Sequence, residues 1–361
     1  MNVLDFYRNE IAIDDFWRRR LGLTKEKRLN FRPLKYKRLN ESSFLYWVFL
    51  FTWPFLLIGF SLFLFLRSLC RPVCSIDALS GKTVWLESSS KSVHIRGGLT
   101  LPGFYVVDLR SYDFYEFISR AAKVKIFLTS IWQIICLRGR VSTSDKIQFI
   151  DIYQLTCFAF FIGRLCEKAE GLHICNHYDR WAVACFESFV GGVTVWQHGT
   201  LNENLVLPVK LRNVSCIHAL NDNEAKIWRG YLDASTVVID VRKPYFKINS
   251  EIASCDLLVI SHPAYMDDEL KLMLSVLDES QLTSVSYKPH PLYEYSNILA
   301  DLKNNAVRIL CADEFPYAKL AITKGSTLGL EYESVGVEVW YWGGETCSEL
   351  ALRIREALNE R

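Results

Sequence analysis

Residues 191–200 read GGVTVWQHGT, a strand-like run that ends in Gln197, His198, Gly199 and Thr200. The pattern returns twice later in the chain, where apolar runs end in KPHP at 288–291 and in GST at 325–327. Each motif therefore falls where a parallel strand passes into a loop or a helix. In open α/β sheets this edge is where ligands bind. Histidines, a lysine and hydroxyls at such edges suit a phosphate-bearing, nucleotide-activated substrate.

Short apolar runs alternate with helical patterns after residue 72, which predicts an α/β fold with parallel sheets covered on both faces. Strands are expected at 83–87, 105–109, 146–152, 172–176, 193–197, 214–219, 257–260, 283–288, 307–311, 320–323 and 338–342. The polar segment 240–256 indicates a domain junction. We therefore expect two Rossmann-like domains facing a cleft, one at 73–245 and one at 246–361.

Composition excludes several classes of function. The formal charge of the 361 residues is only +2, so the electrostatic footprint of a nucleic-acid-binding protein is absent. The 11 cysteines are scattered, odd in number and without a paired CxxC motif. They predict free thiols in a reducing compartment, and no metal or other cofactor is expected.

Residues 44–66 read FLYWVFLFTWPFLLIGFSLFLFL, without a charge, and are long enough to cross a bilayer. Basic residues flank the run on both sides, which fits poorly with a single crossing. We interpret residues 1–72 as a membrane-associated region that binds anionic lipid on the cytoplasmic face of a membrane. Whether 44–66 spans the membrane, re-enters or lies flat stays open. The alternative is a buried helix that packs on the sheet. The flanking basic residues are Arg18, Arg19, Arg20, Lys25, Lys27, Arg28, Arg32, Lys35, Lys37, Arg38, Arg67 and Arg71.

The KPHP motif places Lys288 and His290 at the end of a strand, held by flanking prolines that restrict the backbone. A cationic pair there can hold a diphosphate or neutralise a leaving phosphate. The alternative interpretation is a rigid turn with an incidental histidine. We predict that His290 is catalytic and that Lys288 binds the nucleotide.

The GST motif combines Gly325, Ser326 and Thr327 at the start of a predicted helix. Either hydroxyl would cap that helix, and a helix N-terminus also binds phosphate. Glu331 lies one turn further along the same face and is predicted to accept ribose hydroxyls. Ser261, which ends an earlier strand, is a weaker candidate for phosphate binding because strand-to-helix turns favour serine anyway.

Two residues of the first half are candidates for taking the proton of the acceptor. His198 is suited to proton transfer near neutral pH, and Gly199 beside it permits close backbone approach. Asp179, in the stretch NHYDRW at 176–181, is either a base or a helix cap. A histidine with a purely structural role is the alternative for His198.

Taken as a set, the QHG, KPHP and GST motifs resemble those of bacterial capsule and surface-polysaccharide glycosyltransferases of the GT-B type. That group includes capsule Kdo transferases, polysialyltransferase-like enzymes and, more distantly, teichoic-acid polyol-phosphate transferases. The resemblance covers residues 80–361 and implies that 73–245 is the acceptor domain and 246–361 the nucleotide-donor domain. The acidic doublet followed by glycine, found in several sialyltransferase families, is missing, because Asp267-Asp268-Glu269 is not followed by glycine.

The resemblance implies an inverting, metal-independent transferase with a GT-B-like fold on the cytoplasmic side of the bacterial inner membrane. It would move a sugar from a nucleotide-activated donor, of the CMP type, to a lipid-linked surface glycan. A CDP-polyol phosphotransferase of the teichoic-acid type is the alternative within enzymes. A non-catalytic scaffold of a polysaccharide assembly complex is the alternative from another class.

Overall fold

A computed structural model describes residues 3–20, 43–99, 103–175, 178–201, 203–233, 237–262, 266–279, 284–290, 307–311 and 313–359. The chain divides into two compact units, and the second begins at Val241 apart from the short piece Arg96–Leu99. This division falls at the start of the polar segment 240–256. Each unit is built on a parallel sheet, so the fold is α/β as the sequence predicts.

The first unit contains a six-stranded sheet in the order β2-β1-β3-β4-β5-β6. Its strands are β1 (Thr83–Glu87), β2 (Tyr105–Asp108), β3 (Gly171–Ile174), β4 (Val193–Trp196), β5 (Val214–Ala219) and β6 (Val238–Val241). The order 2-1-3-4-5 is that of flavodoxin-like doubly wound sheets. Polar residues that follow β3 and β4 therefore emerge from adjacent strands at one edge.

The helices of the first unit are α1 (Val3–Arg20), α2 (Ser43–Leu69), α3 (Ser90–Gly97), α4 (Arg120–Cys136), α5 (Ile152–Leu165), α6 (Arg180–Ser188) and α7 (Asp222–Tyr231). Short 3₁₀ helices lie at Ile76–Leu79, Asp113–Phe117 and Thr143–Asp151. Phe6 and Tyr7 of α1 and Leu57 of α2 are fully buried in the same core as the sheet residues. The described parts of 1–72 thus pack into the first unit and form no separate body.

The predicted strand at 146–152 is wrong, because most of this segment lies in the 3₁₀ helix Thr143–Asp151 and its last residue begins α5. The Asp145 amide donates to the Ser142 carbonyl over 3.0 Å, the i to i+3 bond of a 3₁₀ turn. Residues 145–149 are all buried. A short continuous buried run gives no periodicity that separates a strand from a helix.

The second unit contains a five-stranded sheet in the order β11-β10-β7-β8-β9. Its strands are β7 (Cys255–Ile260), β8 (Val285–Lys288), β9 (Arg308–Ile309), β10 (Ala318–Thr323) and β11 (Glu338–Tyr341). Its helices are α8 (Met266–Glu279), α9 (Thr327–Ser334) and α10 (Cys347–Asn359). Counted within the unit, the strand order is 3-2-1-4-5, the order of the dinucleotide-binding Rossmann sheet, with its switch point between β7 and β10.

Candidate functional site

The strand register of the second unit brings three of the predicted motifs together. Ile260 of β7 is paired with Lys288 of β8 on one side and with Thr323 of β10 on the other. All three strands are parallel, so their C-terminal residues leave the sheet at the same edge. Ser261, His290 and the GST motif therefore emerge side by side. This is the edge at which the switch point lies, where open α/β sheets bind ligands.

The loop that follows β10 is shaped by glycine at two positions. Gly325 has a φ of +114°, a conformation that side chains rarely adopt. A Cβ on Gly329 would lie 2.9 Å from the Thr323 side chain, so this glycine lets α9 pack closely on β10. Ser326 is the N-cap of α9 and accepts from the Leu328 amide over 3.4 Å. The predicted cap is confirmed, and Thr327 begins a helix whose N-terminal amides face the sheet edge.

Lys288 is buried, and its ammonium group is held by main-chain oxygens. It donates to the carbonyl of Glu314 over 2.8 Å and to the carbonyl of Cys311. The ammonium also lies 4.3 Å from the centroid of the Phe315 ring. Burial lowers the pKa of Lys288 to about 8. Lys288 thus holds the loop that follows β9 against the end of β8. Its role in phosphate binding stays a prediction.

Ser261 is also drawn into a buried network. The Tyr287 hydroxyl lies 2.8 Å from Ser261 Oγ and 3.1 Å from Glu269 Oε2. The other oxygen of Glu269 accepts from the His262 amide over 2.8 Å. Burial raises the pKa of Glu269 and lowers the pKa of His262. The network fixes the turn after β7, where half-buried His262 leaves the sheet at the switch point.

Glu331 forms an ion pair inside the second unit. One of its oxygens lies 2.6 Å from Arg242 Nη2, and both side chains are 3% exposed. The other oxygen accepts from the Tyr245 amide over 3.4 Å. The carboxylate predicted to bind ribose therefore joins α9 to the segment that begins the unit. Ribose binding by Glu331 stays a prediction, and in this structure the residue contacts Arg242.

Lys324, between β10 and Gly325, is a candidate that the sequence analysis did not single out. Its ammonium lies 2.9 Å from Asp268 Oδ2 and 4.1 Å from the centroid of the Trp342 ring. Its position directly after the strand β10 could have identified it from the sequence. His290, two residues after Lys288, is half-buried at the same edge. The edge thus carries Lys324 and two histidines around the start of α9.

His198 of the first unit is held by the neighbouring strand. Its Nδ1 lies 2.6 Å from the carbonyl oxygen of Cys175, which follows β3. A carbonyl only accepts, so Nδ1 carries the proton and Nε2 of the neutral ring carries the lone pair. Half-buried at the C-terminal edge of β4, His198 has the tautomer that a general base requires.

Gln197 positions the loop that carries His198. Its amide nitrogen donates to the Gly199 carbonyl over 2.8 Å and to Glu224 Oε2 over 2.6 Å. Its amide oxygen accepts from Trp228 Nε1 over 2.8 Å. Glu224 also accepts from the Leu201 amide over 2.8 Å, and burial raises its pKa. The loop after β4 is therefore tied to the first turn of α7.

Asp179 is the N-cap of α6. Its Oδ1 accepts from the Ala182 amide over 2.8 Å, so the helix-cap alternative is confirmed. Asn176 and His177, which precede it in the quoted stretch, lie outside the described residues, as do Pro263 and Pro291 of the second unit. A role for Asp179 as a base stays a prediction.

Within the part of the chain that the structure describes, Cys216, His218 and Asp240 form a group that could hold a metal ion. Their ligand atoms lie within 4.8 Å of one another, and Cys216 Sγ lies 3.6 Å from His218 Nε2. The His218 ring stacks on Trp196, with centroids 3.7 Å apart. Burial raises the pKa of Cys216, which disfavours the thiolate that a metal needs.

No protein-family model matches the sequence, and a comparison with curated proteins finds no similar chain. Among solved structures, a mutant O-GlcNAc transferase of Thermobaculum terrenum aligns with a TM-score of 0.30 and 10% identity. The alignment covers 80% of this chain and 58% of that chain. Similarity at this level identifies no function.

Proposed function

We propose that this chain is a nucleotide-dependent glycosyltransferase of the GT-B type. The observation that carries the proposal is the convergence of three strand ends at the switch point of the second sheet. A strand order of 3-2-1-4-5, a helix that starts behind a positive-φ glycine, and basic side chains at one edge together form the pattern of a nucleotide site.

In this proposal the edge of the second unit holds the nucleotide of the donor. Amides at the start of α9 receive phosphate oxygens, and Ser326 closes the turn beside them. His290 supplies a positive or hydrogen-bonding group to the phosphate that departs, and Lys324 does so by exchanging its contact with Asp268 for the phosphate. Lys288 and Ser261 support the loops of the site without contacting the phosphate, because their polar atoms form hydrogen bonds within the chain. The donor is proposed to be a CMP-type sugar and the acceptor a lipid-linked glycan.

His198 is the proposed base, favoured over Asp179 because its tautomer is set by the Cys175 carbonyl. Nε2 takes the proton of an acceptor hydroxyl as that oxygen bonds to the anomeric carbon. The bond between the anomeric carbon and the phosphate oxygen breaks, and its electron pair leaves with the nucleotide. A single displacement inverts the configuration at the sugar. No step requires a metal.

The proposal is tested with the full chain, CMP-, CDP-, UDP- or GDP-activated donors, and a lipid extract as acceptor. Released nucleotide is measured, and the product is analysed for phosphate, which polyol-phosphate transfer would add and sugar transfer would not. We expect cytidine-selective release that EDTA leaves unchanged. The variant His198→Gln should lower kcat by about 100-fold or more, whereas exposed His94→Gln should not. If the His198→Gln variant releases nucleotide as fast as the natural chain, the assignment of His198 as the base is wrong.

A scaffold protein would release no nucleotide with any of these donors. That outcome, with the chain folded by circular dichroism, would refute the enzymatic proposal as a whole. A phosphate-bearing product would support the polyol-phosphate alternative.

A further inference from the structure

Helix α2 has one face packed into the first unit along its length. The packed residues recur every three or four positions and are Phe49, Trp53, Leu57, Ser61, Leu64 and Ser68, each 9% exposed or less. Phe65 stacks on Phe127 of α4 with ring centroids 4.7 Å apart. Buried Lys123 donates to the Ser68 carbonyl over 2.8 Å. The C-terminal half of α2 is thus joined to α4.

The opposite face of α2 presents large apolar side chains to the surroundings. Phe51 and Phe55 are each 77% exposed, and Trp47 is 58% exposed. Phe63 and Leu66 continue this face towards the end of the helix and are more than half exposed. Helix α4 adds Val124, Leu128, Trp132 and Ile135, which are 45–66% exposed at helical spacing. We call the exposed apolar residues of α2 and α4 the two-helix face.

The two helices of this face and the residues that end them carry only positive charges. Residues 43–73 and 120–142 contain seven cationic residues and no Asp or Glu. Arg71 contacts Glu116 of the neighbouring 3₁₀ helix at 3.7 Å, and Arg67 lies over the Tyr112 ring. Basic residues beside exposed aromatic ones fit an anionic lipid surface, where arginine and lysine meet headgroups and tryptophan lies at the interface. Lys123 is buried, and the other six are at least partly exposed and can meet headgroups: Arg67, Arg71, Arg120, Lys125, Arg138 and Arg140.

We propose that the two-helix face seats the first unit in the headgroup and upper acyl region of an anionic bilayer, with α2 in the membrane plane. If α2 crossed the bilayer, its packed residues from Phe49 to Ser68 would enter the hydrocarbon. Lys123, which is buried against them, would enter it as well. Water would otherwise meet the exposed phenylalanine, tryptophan and leucine side chains of both helices, and such clustered apolar side chains mark interaction surfaces. This inference goes beyond the proposed function and does not depend on the nucleotide chemistry.

The test is flotation of the full chain with vesicles of phosphatidylcholine and phosphatidylglycerol, without nucleotide. The variants Phe51→Glu/Phe55→Glu on α2 and Leu128→Glu/Trp132→Glu on α4 should each weaken binding by about tenfold or more. The control variant Val190→Glu/Val206→Glu alters two side chains that are equally exposed elsewhere, at 74% and 81%, and should bind like the natural chain. Circular dichroism confirms that each variant folds.

The orientation of α2 is tested on the same vesicles with a membrane-impermeant maleimide and the variant Ser43→Cys. An in-plane helix leaves both the introduced cysteine and Cys70 accessible from outside, as located by mass spectrometry. Labelling at one end alone would refute the in-plane arrangement. If the chain ignores anionic vesicles and forms a dimer that the α2 and α4 variants dissociate, the face is a contact between copies and the lipid proposal is wrong.

Discussion

Replacing Glu331 with glutamine separates a structural role of this carboxylate from the predicted role in ribose binding. The change leaves Arg242 as an uncompensated cation in a site where both side chains are 3% exposed. Removing one partner of a buried ion pair costs about 3–5 kcal/mol of unfolding free energy. We therefore expect a loss of this size for E331Q in urea unfolding, because the pair joins α9 to the start of the second unit.

A double-mutant cycle attributes this loss to the pair. The variant R242M/E331Q should be less destabilised than the sum of its single changes by about 1–3 kcal/mol. The exposed pair Arg212–Asp233, with its atoms 3.2 Å apart, is the control, and Asp233→Asn should cost less than about 1 kcal/mol. An E331Q variant of natural stability with weakened nucleotide affinity would refute the structural role and support ribose binding.

Three further variants test other parts of the account. Gly325→Ala should destabilise the second unit by about 1–3 kcal/mol, because its φ of +114° strains any side chain, and unchanged urea unfolding would contradict this. Burial lowers the pKa of Lys288 from 10.5 to about 8. Between pH 8 and 10.5 the unfolded chain therefore binds more protons than the folded chain, and the free energy of unfolding rises with pH. The variant Lys288→Met should lack that rise when the free energy of unfolding is measured from pH 8 to 10.5. A pH profile identical to that of the natural chain would contradict the lowered pKa of Lys288. Asp179→Asn keeps a good helix cap but removes the carboxylate, so it should retain natural kcat while His198→Gln does not; the reverse ranking would make Asp179 the base.

The sheet edges of the candidate site were predictable from the sequence because strand ends are marked locally. A run such as VTVW before Gln197, or LAIT before Lys324, combines β-branched and apolar residues and stops at a polar residue. The cap at Ser326 was predictable for the same reason, since it needs only the residues that follow it.

The partners of the site residues were not predictable, because they come from distant parts of the chain. Arg242 lies 89 positions from Glu331, and no local pattern links them. The sequence predicts phosphate binding by Lys288 because it forms a cationic pair with His290 at a strand end, but in the structure the carbonyls of Cys311 and Glu314 hold its ammonium group. Periodicity likewise could not show that α2 buries one apolar face and leaves the other exposed, because both faces are apolar.

The measurement that tests the central claim most directly is the thermal stability of the full chain with CMP, CDP, UDP or GDP, beside the variant His290→Ala. A ligand that binds only the folded state at about 100 times its Kd adds about 2.7 kcal/mol. The account predicts a cytidine-selective rise in Tm that is reduced in the His290 variant. No rise with any nucleotide would contradict a nucleotide site at the switch point of the second sheet.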